Sequence, residues 1–109
     1  MKLFYIIGPY RASTESGLRR NIETARAAAE ELWRRGHAVI CPHLNTAFMG
    51  GIVPDANFLR GDLLMLERAD AALVLEDWPT SVGSRDEVKF AQERGIALYW
   101  SLGTVEDAR

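Results

Sequence analysis

Short apolar runs alternate with longer amphipathic segments along the chain, and this alternation limits the possible folds more than any other feature. The first run, residues 3–7, is continuously apolar and stops at Gly8-Pro9, which is typical of a buried central strand. The predicted strands cover residues 3–7, 38–41, 71–75 and 96–100. Apolar residues at helical spacing predict helices over residues 18–35, 58–69 and 84–94. The pattern therefore indicates an α/β protein.

Strands that alternate with helices form right-handed βαβ units and a parallel sheet covered on both faces. We predict a Rossmann-like (flavodoxin-like) three-layer sandwich, with a parallel sheet of four to five strands in the order 2-1-3-4. The length of 109 residues predicts a single domain over residues 1–109. In this strand order ligands bind beyond the carboxyl ends of strands 1 and 3, next to residues 8–13 and 77–87.

Two segments are predicted as loops. Residues 13–17 are polar and precede the first helical pattern. Residues 43–57 lack a clear period, and an irregular segment of this length in a small protein is usually functional. Asp55 or Asn57 is expected to cap the helix that follows.

Composition excludes several classes of partner. A net charge of -2 provides no basic field for a nucleic-acid polymer. Cys41 is the only cysteine, so no intrachain disulfide can form and a cytoplasmic location is expected. The first apolar run is too short for a signal peptide or a membrane span, so no membrane partner is expected. One thiol and two histidines are too few for a zinc site, and no metal is expected.

The segment after the first strand is one candidate binding site. Gly8 lets a ligand approach the backbone, and Arg11 can form a bidentate hydrogen bond with a phosphate or carboxylate. The alternative is a strand end followed by an ordinary surface arginine.

The segment from Ser81 to Glu87 is a second candidate. Backbone N–H groups at a helix start attract anions, and the hydroxyls of Ser81 and Ser84 add donors. Glu87 lies about one turn inside the predicted helix, where it can face the crevice as a nucleophile or a general acid or base. The alternative is a glutamate that the helix dipole simply favours in the first turn.

Asp62 is a third candidate, because aspartate has a poor helix propensity and this one lies among apolar residues. It faces either the crevice or solvent. Asp70 precedes a strand and is assigned a structural role, and His43 is expected to line the pocket or to cap the second strand. The chain has neither a Gly-x-Ser-x-Gly elbow nor a dinucleotide or P-loop fingerprint, which excludes serine hydrolases of that type, dinucleotide oxidoreductases and P-loop enzymes.

These residues form one extended pattern. It consists of Tyr5-x-x-Gly8-x-x-Arg11, then Asp62 with Asp70, then Ser81-x-Gly83-x-x-x-Glu87-x-x-x-Ala91. The pattern resembles the nucleoside 2-deoxyribosyltransferase-like superfamily over nearly the whole chain. Its members include transferases that exchange bases on deoxyribose and N-glycosidases that release the base from nucleoside 5'-monophosphates.

The resemblance implies a role for each catalytic candidate. Glu87 matches the nucleophile that attacks the anomeric carbon, Tyr5 matches the tyrosine that positions this carboxylate, and Asp62 matches the aspartate that helps to protonate the departing base. Two carboxyl groups divide a difficult displacement into two easier steps. The resemblance also implies that no metal or organic cofactor is needed.

The resemblance further suggests a substrate. Transferases commonly carry an aspartate at the position of Ser81, whereas monophosphate hydrolases carry a serine that holds the 5'-phosphate with an arginine at the position of Arg11. We therefore favour an N-glycosidase acting on (deoxy)nucleoside 5'-monophosphates. A base-exchanging transferase and a noncatalytic nucleotide-binding module are the alternatives. The expected substrate-binding residues are Gly8, Tyr10, Arg11, His43, Ser81 and Gly83.

Two expectations concern segments outside this pattern. Residues 43–55, with Phe48, Met49 and Trp78, are expected to select the base. The resemblance implies a homodimer or higher homo-oligomer whose subunits complete each other's sites, and the tail over residues 101–109 either does this or has no such role.

Overall fold

The computed structural model describes residues 1–108. It contains a four-stranded, fully parallel sheet in the order β2-β1-β3-β4, as predicted. The strands are β1 (Leu3–Ile7), β2 (Ala38–Ile40), β3 (Ala71–Val74) and β4 (Ala97–Tyr99). The α-helices are α1 (Glu15–Arg34), α2 (Pro42–Asn45), α3 (Asp55–Glu67) and α4 (Val82–Arg94). Short 3-10 helices span Trp78–Thr80 and Leu102–Thr104.

The central strand β1 pairs with both β2 and β3. Its residues 4–7 are completely buried. Phe4 and Ile6 face one side of the sheet, and Tyr5 and Ile7 face the other. Because helices cover both sides, a strand at this place needs apolar side chains on both faces, which explains the uninterrupted apolar run.

The helices form the outer layers of a three-layer sandwich, as predicted. On one face α1 packs its small residues and Leu32 against Phe4 and Ile6. On the other face Leu66 of α3 and Val88 and Ala91 of α4 pack around the side of the sheet that carries Tyr5. Helices α3 and α4 therefore lie next to each other on the same face.

The prediction of a polar loop over residues 13–17 is wrong, because α1 begins at Glu15. Thr14 caps this helix, since its hydroxyl oxygen accepts a hydrogen bond from the backbone N–H of Gly17 at 3.0 Å. Glu15 lies in the first turn, where the helix dipole favours a negative charge. These residues are exposed, so apolar spacing gave no sign that the helix starts there.

The prediction of one long loop over residues 43–57 is also wrong. The segment contains most of α2, which starts with Pro42, and the first turn of α3. Pro54, rather than Asp55 or Asn57, is the N-cap residue of α3 and makes no side-chain cap. The first strand has the predicted bounds, and the remaining helix and strand boundaries differ from the predicted ones by at most two residues, as is usual at ends that fray.

The carboxyl-terminal tail packs on its own chain at the amino end of the sheet. Arg35 donates from Nη1 to the carbonyl oxygens of Leu102 and Val105 at 2.6 and 2.9 Å. One ring nitrogen of His37 faces the Glu106 carbonyl at 2.7 Å, and the other accepts from the Lys2 backbone N–H at 3.2 Å. These contacts place the tail at the opposite end of the sheet from the predicted crevice.

Asp70 has the structural role predicted for it. Its carboxylate accepts a hydrogen bond from the Leu3 backbone N–H at 2.7 Å, and its own N–H donates to the Leu3 carbonyl at 2.9 Å. Asp70 thus fixes the start of β1 next to β3. No helix in the described part of the chain combines the length and apolar character needed to cross a bilayer.

We predict that the tail contributes to stability through Val105, which is buried in the α1-side core with Phe4. Val105→Ala should lower the free energy of unfolding by about 1.5–3 kcal/mol, because two buried carbon groups and their packing are lost. The same substitution at exposed Val82 should change it by less than about 0.5 kcal/mol. Urea unfolding measures both, and equal effects would contradict a packed tail.

Candidate active site

A buried tyrosine and a half-buried glutamate form the centre of the site. The Tyr5 hydroxyl donates a hydrogen bond to Oε2 of Glu87, 82 positions away in the chain. Tyr5 points from β1 toward the layer that contains α4. A helical glutamate leans toward the start of its helix, so the Glu87 carboxyl group lies over the first turn of α4. The pair thus joins the central strand to the helix that follows β3.

Asp62 lies on the neighbouring helix α3 and completes a group of three. It is half-buried, and its charge raises the pKa values of both Glu87 and Tyr5. Asp62 therefore lies within electrostatic reach of both groups. The structure therefore brings Tyr5, Asp62 and Glu87 together, although they belong to three separate elements.

Burial perturbs the titration of all three groups. It raises the pKa of Glu87 to about 8, and the charges of Asp62 and Asp86 add to this effect, whereas the hydrogen bond from Tyr5 opposes it. Burial also raises the pKa of Asp62 to about 6. The Tyr5 pKa is raised by burial and by the Glu87 charge, so its phenol stays protonated and acts as a donor. Between about pH 6 and 8 the two carboxyl groups hold one proton between them.

The start of α4 provides two of the predicted substrate-binding residues. Ser81 caps the helix, since its Oγ accepts a hydrogen bond from the Ser84 N–H at 3.2 Å. This bond leaves the hydroxyl proton of Ser81 available for donation. A Cβ atom on Gly83 would lie 4.0 Å from Leu59 and 3.9 Å from the Ser81 hydroxyl, so Gly83 lies where α3 and α4 approach each other.

Gly8 is needed for packing. A Cβ atom built on it would lie 2.5 Å from Cδ1 of Leu75, closer than real side chains come. The close approach of a ligand to the backbone at Gly8, inferred from the sequence, stays a prediction. The constraint comes from the residue that follows β3.

His43 and Tyr10 support the loops at the crevice. His43 is buried, and its Nε2 lies 3.0 Å from the Gly8 carbonyl oxygen and 3.1 Å from that of Pro9. Burial lowers its pKa, so the neutral ring donates to these carbonyls. Tyr10 packs edge-on against His43 and accepts from the Phe48 N–H at 3.0 Å. His43 therefore fixes the backbone that directly follows β1 through the carbonyl groups of Gly8 and Pro9.

Phe48 and Trp78, two of the residues expected to select the base, pack against different parts of the structure. The Phe48 ring lies 5.3 Å from the Arg19 guanidinium, on the α1 side of the loop. Trp78 packs against Trp100, with ring centres 5.6 Å apart, beyond the ends of β3 and β4. Phe48 and Met49 are exposed. None of these contacts joins Trp78 to the loop.

Arg11 is exposed at the outer edge of the crevice and forms an ion pair. Its Nη2 lies 2.8 Å from Oδ2 of Asp55, in the first turn of α3. From the sequence, Asp55 is expected to cap the helix or to end the segment that selects the base, and this contact is not predicted. The available signal was its spacing of seven residues from Asp62, which puts both carboxylates on one face of a helix.

Two further polar residues at the site were missed or undervalued. Asn21 on α1 donates from Nδ2 to the carbonyl oxygens of Tyr10 and Arg11, at 3.1 and 3.3 Å, and so fixes the loop after β1. Ser84 is 1% exposed, and its hydroxyl oxygen has no hydrogen-bond partner among residues 1–108. It lies one helical turn before Glu87 on the same face of α4. The sequence offered no signal for either environment.

Metal ligands do not cluster in the part of the chain that the structure describes, where no three His, Cys, Asp or Glu side chains come together in a suitable way. The Cys41 thiol has one such neighbour, with its sulfur 3.9 Å from Nδ1 of His43. Burial raises the pKa of this thiol. The carboxyl groups of Asp62 and Glu87, with the phenol of Tyr5, are the groups that could perform chemistry here.

Two solved structures share this fold at low sequence identity. A 2-deoxyribosyltransferase from Bacillus psychrosaccharolyticus gives a TM-score of 0.68 at 16% identity, over 88% of this chain and 69% of the other. A 2-deoxyribosyltransferase from Leishmania mexicana gives 0.64 at 17% identity, over 90% of this chain and 62% of the other. The chain thus spans about two thirds of the length of these proteins.

A family of proteins is matched directly by the sequence. The match covers residues 2–100 and is to a domain of unknown function, DUF7768. No curated protein matches the sequence significantly. Because the match includes every strand and α-helix of the structure, the chain belongs to the DUF7768 family, and its fold is that of the 2-deoxyribosyltransferases.

Proposed function

We propose that this protein cleaves the N-glycosidic bond of a nucleoside or nucleotide, with Glu87 as the nucleophile. The observation that carries the proposal is the hydrogen bond from buried Tyr5 to Glu87, whose pKa is raised by burial and by the charge of Asp62. Perturbed carboxyl groups at the carboxyl edge of a parallel sheet are typical of catalytic sites. The likeness of the fold to two 2-deoxyribosyltransferases adds support.

Tyr5 would position the nucleophile. Its phenol stays protonated, and its hydrogen bond fixes one carboxylate oxygen of Glu87. The other oxygen would attack the anomeric carbon of the sugar. A C–O bond forms while the C–N bond to the base breaks, and the bonding electrons leave with the base.

Asp62 would supply the proton that the leaving nitrogen accepts. These roles require an ionised Glu87 and a protonated Asp62, whereas the higher pKa places the shared proton on Glu87 in the ligand-free protein. A base that accepts a hydrogen bond from Asp62 would favour the protonated form of that residue. We expect substrate binding to move the shared proton from Glu87 to Asp62.

The glycosyl-enzyme intermediate would then react with an acceptor. Attack by water makes the protein an N-glycosidase, and attack by a second base makes it a transferase. We favour hydrolysis of nucleoside 5'-monophosphates, because the Ser81 hydroxyl proton, the N–H groups at the start of α4 and the Arg11 guanidinium would all attract a phosphate. The transferase is the second candidate, because both fold neighbours carry that name.

The first prediction from this mechanism concerns base release. We expect the protein to release free base from at least one common nucleoside or nucleoside 5'-monophosphate, as detected by chromatography. Glu87→Ala should lower the rate by at least about 10³-fold, because the nucleophile is lost. Glu93→Ala, at an exposed position of the same helix, should leave the rate unchanged. Binding without any release would leave a noncatalytic nucleotide-binding module, and release unaffected by Glu87→Ala would rule out Glu87 as the nucleophile.

The second prediction concerns pH. The plot of kcat/KM against pH should be bell-shaped, with limbs near pH 6 and pH 8. Below the lower limb both carboxyl groups are protonated and the nucleophile is lost, and above the upper limb both are ionised and the acid is lost. Asp62→Asn should remove one limb and lower kcat by about 10²–10⁴-fold. A flat profile between pH 5 and 9 would contradict the shared proton.

The third prediction separates hydrolase from transferase. With a nucleoside 5'-monophosphate as donor and an excess of a different free base, we expect only the original base and a sugar phosphate. The transferase alternative predicts a new nucleoside or nucleotide that contains the added base. Mass spectrometry of the products distinguishes the two, and a new N-glycosidic product would overturn the preference for hydrolysis.

A further inference from the structure

An ion pair links the two sides of the crevice at its outer edge. Arg11 belongs to the loop after β1, and Asp55 belongs to the first turn of α3. Their side chains are 75% and 60% exposed, and their nearest charged atoms are 2.8 Å apart. The arginine that we expect to bind a phosphate thus already holds an anionic group of its own chain.

Asp55 lies on the face of α3 that borders the crevice. Residues 55, 59, 62 and 66 recur at helical spacing and form one stripe along the helix. At the inner end Leu66 is buried in the core, and near the middle Leu59 lies close to Gly83 of α4. Asp62 therefore faces the catalytic group, and Asp55 lies about 10 Å farther along the helix toward solvent.

The backbone beside Arg11 is fixed, whereas its side chain is exposed. Asn21 holds the carbonyl oxygens of Tyr10 and Arg11, and His43 holds those of Gly8 and Pro9. The guanidinium can therefore turn from Asp55 to a ligand in the crevice without any rearrangement of the loop. Breaking an exposed ion pair costs little free energy, because water screens both charges.

We propose that Asp55 is a specificity-determining residue, whose carboxylate occupies Arg11 in the ligand-free protein and is displaced by the phosphate of a nucleoside 5'-monophosphate. This inference rests on the proposed function, because it concerns the substrate of the same site. A phosphate presents more charge and more acceptor oxygens to the guanidinium than a carboxylate does. A ligand without phosphate leaves the ion pair intact, so Asp55 affects only phosphate-bearing ligands.

The test uses 2-deoxyribose 5-phosphate, which carries the phosphate but has no glycosidic bond to a base and is not consumed. Inorganic phosphate and 2-deoxyribose are the companion probes. Dissociation constants are measured by NMR titration at low salt for the wild type, Asp55→Asn, Arg11→Gln and the double variant. Asp107→Asn, an exposed position at the amino end of the sheet, is the matched control.

We expect Asp55→Asn to tighten the binding of the sugar phosphate about two- to fivefold, because the competing carboxylate is gone. Binding of 2-deoxyribose should not change, and Asp107→Asn should behave as the wild type. Arg11→Gln should weaken the binding of the sugar phosphate. In the Arg11→Gln background, Asp55→Asn should have no further effect, because there is no guanidinium left to compete for.

Three results would overturn the inference. One is an unchanged affinity for the sugar phosphate in Asp55→Asn. Another is an equal gain with and without Arg11, which would indicate general charge repulsion instead of competition. The third is the absence of binding of both phosphate probes to every variant.

This inference and the catalytic proposal can be overturned separately. A protein that releases base but shows no coupling between Arg11 and Asp55 retains the proposed function and loses this inference. A protein that shows the coupling but releases no base loses the proposed catalysis and keeps the phosphate site.

Discussion

The burial of β1 between two helical layers is the constraint on which the rest of the structure depends. This strand pairs on both edges and is covered on both faces, so its residues 4–7 have no contact with water. A tyrosine in such a strand must find a hydrogen-bond partner for its hydroxyl within the protein. Glu87 is that partner, and the fully buried central strand thereby holds one oxygen of the proposed nucleophile.

The same burial raises the pKa values of the carboxyl groups at a cost in stability. An ionised carboxylate is poorly solvated between α3, α4 and the sheet, so the pKa of Glu87 rises from 4.5 to about 8. The folded protein therefore binds this proton more tightly than the unfolded chain. The stability that the group contributes is complete below about pH 4.5 and is lost as the pH rises toward 8. The hydroxyl of Ser84, one turn away, has no hydrogen-bond partner within the described residues and is a second polar group whose burial opposes folding.

The outer part of the crevice is built from weaker and more exposed contacts. Tyr10 holds the backbone at Phe48, and Arg11 pairs with Asp55. Such contacts exchange easily with solvent or ligand, unlike the packed centre around Tyr5. The molecule thus separates the fixed group proposed to cleave the bond, held by core packing, from an exposed edge where the proposed substrate would be discriminated.

The sequence by itself determined the layers, the strand order and the edge of the sheet where polar residues gather. It could do so because apolar periodicity reports burial, and because parallel βαβ units allow few topologies. The motif that contains Tyr5, Asp62 and Glu87 could likewise be read from the sequence, and the structure brings these three residues together.

The tertiary structure alone decided what each side chain touches. That Gly8 packs against Leu75, that Asp55 holds Arg11 and that Ser84 has no hydrogen-bond partner among residues 1–108 all depend on distances between elements, which no local pattern encodes. The starts of α1 and α3 escaped prediction for a related reason, because exposed first turns carry no apolar period and depend on capping geometry.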